Sequence, residues 1–221
     1  MKTITKQTKA FTMLELVFVI VVLGILASLA LPRIERDLRQ EAADNVLSAI
    51  RYTQHLALND NKTDPTDPNW QHELWQIQFD TTSSTGYLFY VIGSDTDHSE
   101  GTTAYPEKEE TAIDPVNGKY MFHTKTDPEL QADESPNILL GRKYGVSGVN
   151  PTGGCGTQQL AFDQLGRPHT NVGGAGNTYA TYMKTGDCNL TFSFTNNAAL
   201  PFSIIITKET GHAYIEGQDA L

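Results

Sequence analysis

The chain has 221 residues, with 26 acidic and 16 basic side chains, so its formal charge is −10. This length suits one modest globular domain preceded by a separate N-terminal segment. An acidic surface of this size disfavours nonspecific binding to nucleic acid or to anionic lipid. Nucleic acid is therefore not expected among the partners.

The N-terminus combines a short basic segment with a long apolar run. Residues 1–10 contain three lysines and no acid, and residues 11–31 contain a single charge, Glu15. Wound as a helix at about 1.5 Å per residue, this run reaches roughly 31 Å, the thickness of the hydrocarbon core of a bilayer. It can therefore span a membrane, with the basic flank on the cytoplasmic side. A carboxylate so close to the apolar layer is costly, which marks Glu15 as a functional residue.

The segment Lys9-Ala10-Phe11-Thr12-Met13-Leu14-Glu15-Leu16 resembles the processing site of the type IV prepilins and type II secretion pseudopilins. In that family a basic leader is removed just before a Phe, the new amino terminus is N-methylated, and a Glu stands at the fifth mature position. The resemblance implies cleavage between Ala10 and Phe11, methylation of Phe11 and an assembly role for Glu15. The family usually has Gly before the cut, and Ala10 departs from that pattern.

The resemblance also implies an α+β, pilin-like fold, with a long N-terminal α-helix packed on a small antiparallel β-sheet head. The implied parts are a leader (1–10), a transmembrane and filament-core half of the helix (11–32), an amphipathic half (33–59) and a periplasmic β-rich head (60–221). Removal of the leader would take the formal charge from −10 to −13.

Two residues predict bends in the long helix. Pro32 lacks a backbone donor and crowds the preceding turn, and Gly24 is a second soft point. Beyond Pro32, apolar residues recur every four positions, which predicts an amphipathic helix that continues to about Asn59; they are Ile34, Leu38, Ala42, Val46 and Ile50.

After residue 59 the composition shifts to Asp, Asn, Thr and Pro, which indicates a linker loop. Short alternating runs then predict strands at residues 74–79, 87–92, 119–123, 159–162, 189–194, 202–207 and 212–215. Residues 93–116, 145–156 and 173–177 are rich in Gly, Asn and Pro and are interpreted as surface loops. Gly166 and Gly211 supply the positive φ expected where two hairpins reverse.

The two cysteines, Cys155 and Cys188, form no zinc-binding motif. In a head outside the cytoplasm we expect a disulfide; the alternative is two independent buried thiols. Closing a loop of this length would stabilise the fold by roughly 3 to 4 kcal/mol in the chain-entropy model.

Three acidic residues lie close together in a loop that contains Gly and Ser, namely Asp95, Asp97 and Glu100. Such oxygen-rich loops can hold calcium, and some pseudopilins bind it, but the EF-hand pattern is absent. A solvated acidic loop is the competing interpretation. Calcium is thus a weak candidate, and no other metal or cofactor is expected.

The resemblance implies a non-enzymatic structural subunit, processed by a prepilin peptidase and methyltransferase and assembled with other pilins or pseudopilins. It would enter the inner membrane through residues 11–31, hold its head in the periplasm, and then join a pilus or pseudopilus. The C-terminal hairpins resemble those of minor pseudopilins of the GspH/FimT type. A type IV minor pilin for DNA uptake or adhesion is the alternative within this class.

A second alternative belongs to another class of protein. Ser28-Leu29-Ala30 offers a cleavage site for an ordinary secretory signal peptide, behind an apolar core. The chain would then be an exported binding module or enzyme, released by that cleavage or tethered by an uncut helix.

Overall fold

The fold is α+β, as the sequence predicts. In the computed structural model, residues 13–97, 105–172, 185–196 and 199–218 are described, apart from the side chains of residues 27–37. The chain forms two units, Met1–Leu38 and Arg39–Leu221. Helix α1 (Met13–Asn59) is 47 residues long and passes from the first unit into the second. The predicted cleavage and methylation residues, Ala10 and Phe11, lie outside the described residues.

The part of α1 that belongs to the second unit is amphipathic. Its buried residues recur at helical spacing and are mostly small; they are Ala42, Ala43, Val46, Ala49, Ile50, Thr53 and Ala57. Residues 33–59 contain no Gly or Pro to interrupt the helix, and α1 ends at Asn59, where the Asp-, Asn- and Pro-rich loop begins. The small side chains let the helix approach the core closely.

Outside α1, the described residues of the second unit form eight strands in two antiparallel sheets. The strands are β1 (Trp75–Thr81), β2 (Leu88–Gly93), β3 (Val146–Gly153), β4 (Gln159–Phe162), β5 (Pro168–His169), β6 (Cys188–Phe194), β7 (Phe202–Ile206) and β8 (Ala213–Ile215). One sheet has the order β2-β1-β4-β5 and the other β3-β6-β7-β8. A short helix, α2 (Leu140–Tyr144), precedes β3 and ends at Gly145, whose φ is +75°.

Aromatic side chains join the two sheets in one core. Phe79 of β1 contacts Phe192 of β6 edge to face, with 5.3 Å between ring centroids. Phe192 in turn stacks on Phe202 of β7 at 4.9 Å. These rings are buried in the same cluster as the apolar side of α1, so each sheet covers part of the amphipathic helix.

Two predictions of local structure are wrong. Residues 145–156 were expected to form a loop, but they contain β3, which pairs with β6 past a register shift between Val146 and Gly148. Pro151 is compatible with this strand because β3 lies at the edge of its sheet. Residues 119–123 were expected to form a strand, but their backbone bonds go to different segments: Tyr120 to residues 133 and 135, and Met121 to residues 92 and 112.

The two hairpin turns predicted at glycines both rest on α1. Gly166 and Gly211 have φ values of +78° and +66°. The side chain of Gln54 donates hydrogen bonds to the carbonyls of Gly166 and Thr210, each at 2.9 Å. One residue of the helix therefore fixes both turns, which are far apart in sequence.

Candidate functional site

The N-terminal stretch of α1 is the first candidate site. Every residue from 13 to 26 is exposed, and the large apolar side chains among them are 37% to 85% exposed. A helix that is apolar on all sides needs lipid or other protein to cover it. Glu15 lies in the first described turn of α1 and is the one charged residue of this stretch.

Among the residues that the structure describes, no helix is both long enough and apolar enough to cross a membrane. The predicted span, residues 11–31, begins at residues outside the description, and the side chains of residues 27–31 are also outside it. Membrane insertion therefore remains a prediction.

The two predicted bending points lie within α1. The helix is continuous through Gly24 and Pro32. No atom lies within 4 Å of the position that a Cβ of Gly24 would occupy, so this glycine is not needed for a close contact within the described chain. A bend at either residue remains a prediction.

The predicted disulfide between Cys155 and Cys188 is confirmed. The two Cα atoms are 4.7 Å apart, within the usual range for a disulfide. The pairing of β3 with β6 places Gly153 opposite Cys188, and the amide of Gly154 donates to the carbonyl of Asp187 at 2.7 Å. A Cβ on Gly154 would lie 1.9 Å from the carbonyl oxygen of Gly186, so only glycine allows this approach.

The described part of the acidic loop brings two of the three predicted residues together with one that was not predicted. Asp95 and Asp97 lie with Glu110, and one oxygen from each falls within 4.8 Å of the others. Glu100, the third predicted ligand, lies outside the described residues. Glu110 already accepts hydrogen bonds from the amides of Thr96 at 2.7 Å and Asp97 at 3.1 Å. Its carboxylate thus orders this loop, and calcium stays a prediction.

A buried carboxylate that sequence analysis did not identify organises the loop after β2. Asp114 is 3% exposed and accepts hydrogen bonds from four groups: the amide of Val116 and the side chains of Asn117, Ser135 and Asn137. Burial by itself would raise the pKa of Asp114, but these hydrogen bonds outweigh it, so the pKa lies below its ordinary value.

A second buried carboxylate, Glu134, lies between two basic side chains. It is 2% exposed, and its oxygens lie 3.1 Å from Nδ1 of His123 and 3.3 Å from Nζ of Lys108. Hydrogen bonds to Asp133 and Glu134 raise the pKa of Lys108. Both buried carboxylates bond to side chains distant in sequence, so no local motif could have identified them. Their chemistry is to order loops by charge-assisted hydrogen bonds.

The comparisons with known proteins add no family assignment. No family model, no curated protein and no solved structure matches the chain.

Proposed function

We propose that this protein is a non-enzymatic filament subunit, a minor pilin or pseudopilin of a type II secretion pseudopilus or a type IV pilus. The observation that carries the proposal is the 47-residue helix α1, whose N-terminal stretch is exposed and apolar apart from Glu15. A globular protein does not leave such a stretch uncovered. Lipid before assembly and neighbouring helices after assembly would cover it.

The second unit supports the same function. The part of α1 that belongs to the second unit buries one side in the same core as antiparallel strands of both sheets, which supports a head built around the end of a long helix. A 47-residue helix is about 70 Å long. This length suits a subunit that spans the inner membrane through residues 11–31 and presents its head in the periplasm. The Gly-containing hairpins near the C-terminus are similar to those of minor pseudopilins of the GspH/FimT type.

Glu15 has a defined part in this proposal. Cleavage between Ala10 and Phe11 by a prepilin peptidase creates a positive amine on Phe11, which the family methylates. Glu15 would neutralise that amine, on its own chain or on a neighbouring subunit. An opposite charge nearby favours the ionised form of both groups in an apolar layer.

The mature N-terminus tests this function. Intact-mass and N-terminal sequence analysis of the chain from native membranes should give a start at N-methylated Phe11. A start at Leu31 would show a secretory signal peptide, and an intact Met1 would show a simple anchor; either would overturn the proposal.

Two variants of residue 10 act as matched controls for the cut. Ala10→Gly restores the residue usual in the family and should be cleaved at least as well as the natural chain. Ala10→Leu places a bulky side chain before the cut and should accumulate as precursor.

A further inference from the structure

A small cleft lies between α1 and the loop that Asp114 organises. It has a volume of about 120 Å³, and Val116, which lines it, is 82% exposed, so the cleft opens to solvent. Pockets for drug-sized ligands begin at roughly 300 Å³, so this cleft suits only a small molecule. Two tyrosines, several apolar side chains and one carboxylate contribute to its walls; they include Ala49, Tyr52, Tyr90, Asp114, Val116 and Met121.

The carboxylate in this cleft has no cation beside it. Asp114 is buried, and its lowered pKa keeps it ionised at neutral pH. Among the described residues, no basic group lies within 4.0 Å of its oxygens. Lys143 is exposed and donates to the side-chain oxygen of Asn137 at 3.1 Å, not to the carboxylate. A cation in the cleft would therefore gain from the negative charge of Asp114.

The hydrogen bonds of Asp114 decide which kind of cation the cleft favours. A carboxylate has about four acceptor positions. Here four groups already donate to it, the amide of Val116 and the side chains of Asn117, Ser135 and Asn137. An ammonium ion with N–H groups would have to compete with these donors for the carboxylate. A cation without N–H groups needs no acceptor and feels the charge alone.

Two tyrosine rings supply the other part of the site. Tyr52 donates its hydroxyl to the carbonyl of Ile113 at 3.0 Å. Tyr90 donates to Oδ1 of Asn45 at 3.3 Å, so both rings are held in place. Burial, together with the charge of Asp114, raises the pKa of both phenols, so the rings stay neutral within reach of that charge. Aromatic rings beside a negative charge are typical of sites for quaternary ammonium groups.

We propose that the cleft between α1 and residues 114–116 binds a small quaternary ammonium cation of the choline type. Its methyl groups contact Tyr52 and Tyr90, and its charge lies in the field of Asp114. The net charge of −10 raises the local concentration of such cations. This site does not depend on the proposed filament function.

The same cation exists free and as the headgroup of a lipid, and the charges of the cleft favour the free form. A headgroup carries a phosphate next to the quaternary ammonium. That phosphate would lie close to the ionised Asp114 in a chain of net charge −10, and the two negative charges repel each other.

Calorimetric titration of the full chain in maltoside micelles tests the site, with the heat of empty micelles subtracted. Choline should bind at least about tenfold more tightly than the neutral alcohol in which carbon replaces its ammonium nitrogen. It should also bind at least about threefold more tightly than ethanolamine, which has N–H groups in place of the methyl groups. The ligands change the charge while the loop stays intact. Choline that binds no better than either compound would overturn the proposal.

Two variants of Tyr52 separate its ring from its hydroxyl. Tyr52→Leu removes the ring and should weaken choline binding about fivefold or more. Tyr52→Phe keeps the ring and loses only the hydrogen bond to Ile113, so it should bind choline at least about threefold more tightly than Tyr52→Leu. If Tyr52→Leu bound choline as tightly as the natural chain, the cleft would not be the binding site.

Tyr87→Leu is the matched control, because Tyr87 is 40% exposed and does not line the cleft. Its affinity for choline should stay within about twofold of the natural value. Protection of Cys155 and Cys188 from alkylation before reduction shows that each variant has folded. A folded Tyr87→Leu chain that lost binding as Tyr52→Leu does would contradict the assignment to this cleft.

Glycerophosphocholine, a soluble headgroup, distinguishes the two sources of the cation. It should bind about tenfold or more weakly than choline, because its phosphate is repelled. Affinity equal to that of choline would keep the quaternary ammonium site and assign it to a lipid headgroup. Absence of binding by both compounds would refute the site.

Discussion

At the scale of single residues, buried carboxylates hold the irregular parts of the head. Asp114 accepts four hydrogen bonds that tie residues 116 and 117 to residues 135 and 137. Glu134 does the same for residues 108, 123 and 131. In these loops, hydrogen bonds to the two carboxylates take the place of the backbone hydrogen bonds that join regular strands. The ordered conformation of the loops after β2 therefore depends on the charges of Asp114 and Glu134.

The first prediction concerns Asp114 and acid. Its pKa is lower in the folded chain than in the unfolded chain, so the unfolded state binds more protons as the pH falls. The stability from Asp114 is complete above about pH 4 and is lost as the pH falls through the folded pKa. Asp114→Asn should lower the unfolding free energy at pH 7 by about 2 kcal/mol or more. The amide nitrogen of the new Asn can only donate hydrogen bonds, so it would face groups that also donate.

Thermal unfolding of the detergent-solubilised chain between pH 2.5 and 7 measures both effects. Glu129→Gln is the control, since the side chain of Glu129 is 73% exposed and pairs with an exposed arginine, Arg142. Its unfolding free energy should change by less than about 1 kcal/mol. If Asp114→Asn matched this control, Asp114 would not organise the loop.

The second prediction compares two glycines with positive φ. Gly211→Ala should destabilise the head by about 2 to 5 kcal/mol, since its Cβ would lie 2.2 Å from the carbonyl oxygen of Gly166 and its φ is +66°. Gly217→Ala should cost only about 1 to 2 kcal/mol, because its φ is +82° but nothing lies within 4 Å. Denaturant unfolding of both variants measures the difference, and equal losses would contradict the close approach of the two turns.

At the scale of elements, the second sheet depends on β3, whose residues have a low intrinsic preference for β-structure. β3 contains Gly, Asn and Pro, yet it pairs with seven residues of β6. Buried Val146 and Val149 contribute apolar contacts, and the disulfide connects the chain just past β3 to β6. Tertiary pairing therefore outweighs local propensity here.

The third prediction concerns this disulfide. Cys155→Ala with Cys188→Ala should lower the unfolding free energy by about 3 to 4 kcal/mol, because the unfolded chain regains the entropy of an open loop. The sequence separation of 33 residues sets this estimate. Chemical denaturation of the natural and double-variant chains measures it, with the reduced natural chain as control. A natural chain whose stability did not change on reduction would contradict the prediction.

At the scale of the whole molecule, residues 13–26 of α1 are exposed, whereas residues 39–59 of the same helix bury one side in the core of the second unit. The proposed function would explain this difference, because the exposed stretch would enter first a membrane and then a filament.

The fourth prediction concerns Glu15. Glu15→Ala should still insert, be cut after Ala10 and fold its head, since removing a carboxylate from an apolar segment lowers the insertion cost by up to about 3 kcal/mol. It should nevertheless enter the filament poorly, at about a tenth of the natural level or less, because the Phe11 amine of a neighbour loses its counter-ion. Cleavage and co-purification with sheared filaments are measured in parallel.

Glu129→Ala is the control for this prediction, because it removes an exposed carboxylate of the head. Normal incorporation of Glu15→Ala would refute the assembly role. Loss of membrane insertion would instead show that the carboxylate acts at an earlier step.

The sequence by itself determined the features that repeat locally. The amphipathic pattern up to Asn59, the alternating strands such as β6 and β7, and the turns at Gly166 and Gly211 follow from side-chain periodicity and backbone freedom. The cysteine pair was predicted on the expectation that the head lies outside the cytoplasm, where disulfides form and persist.

Only the tertiary structure decided which distant groups meet. β3 forms because β6 lies beside it, and residues 119–123 fail to form a strand because their backbone partners lie in several segments. Glu110 joins Asp95 and Asp97, and Asp114 meets Asn137, by chain reversals that no local pattern encodes. Local periodicity reflects which side of an element is buried, whereas long-range pairing depends on the free energy of the whole core.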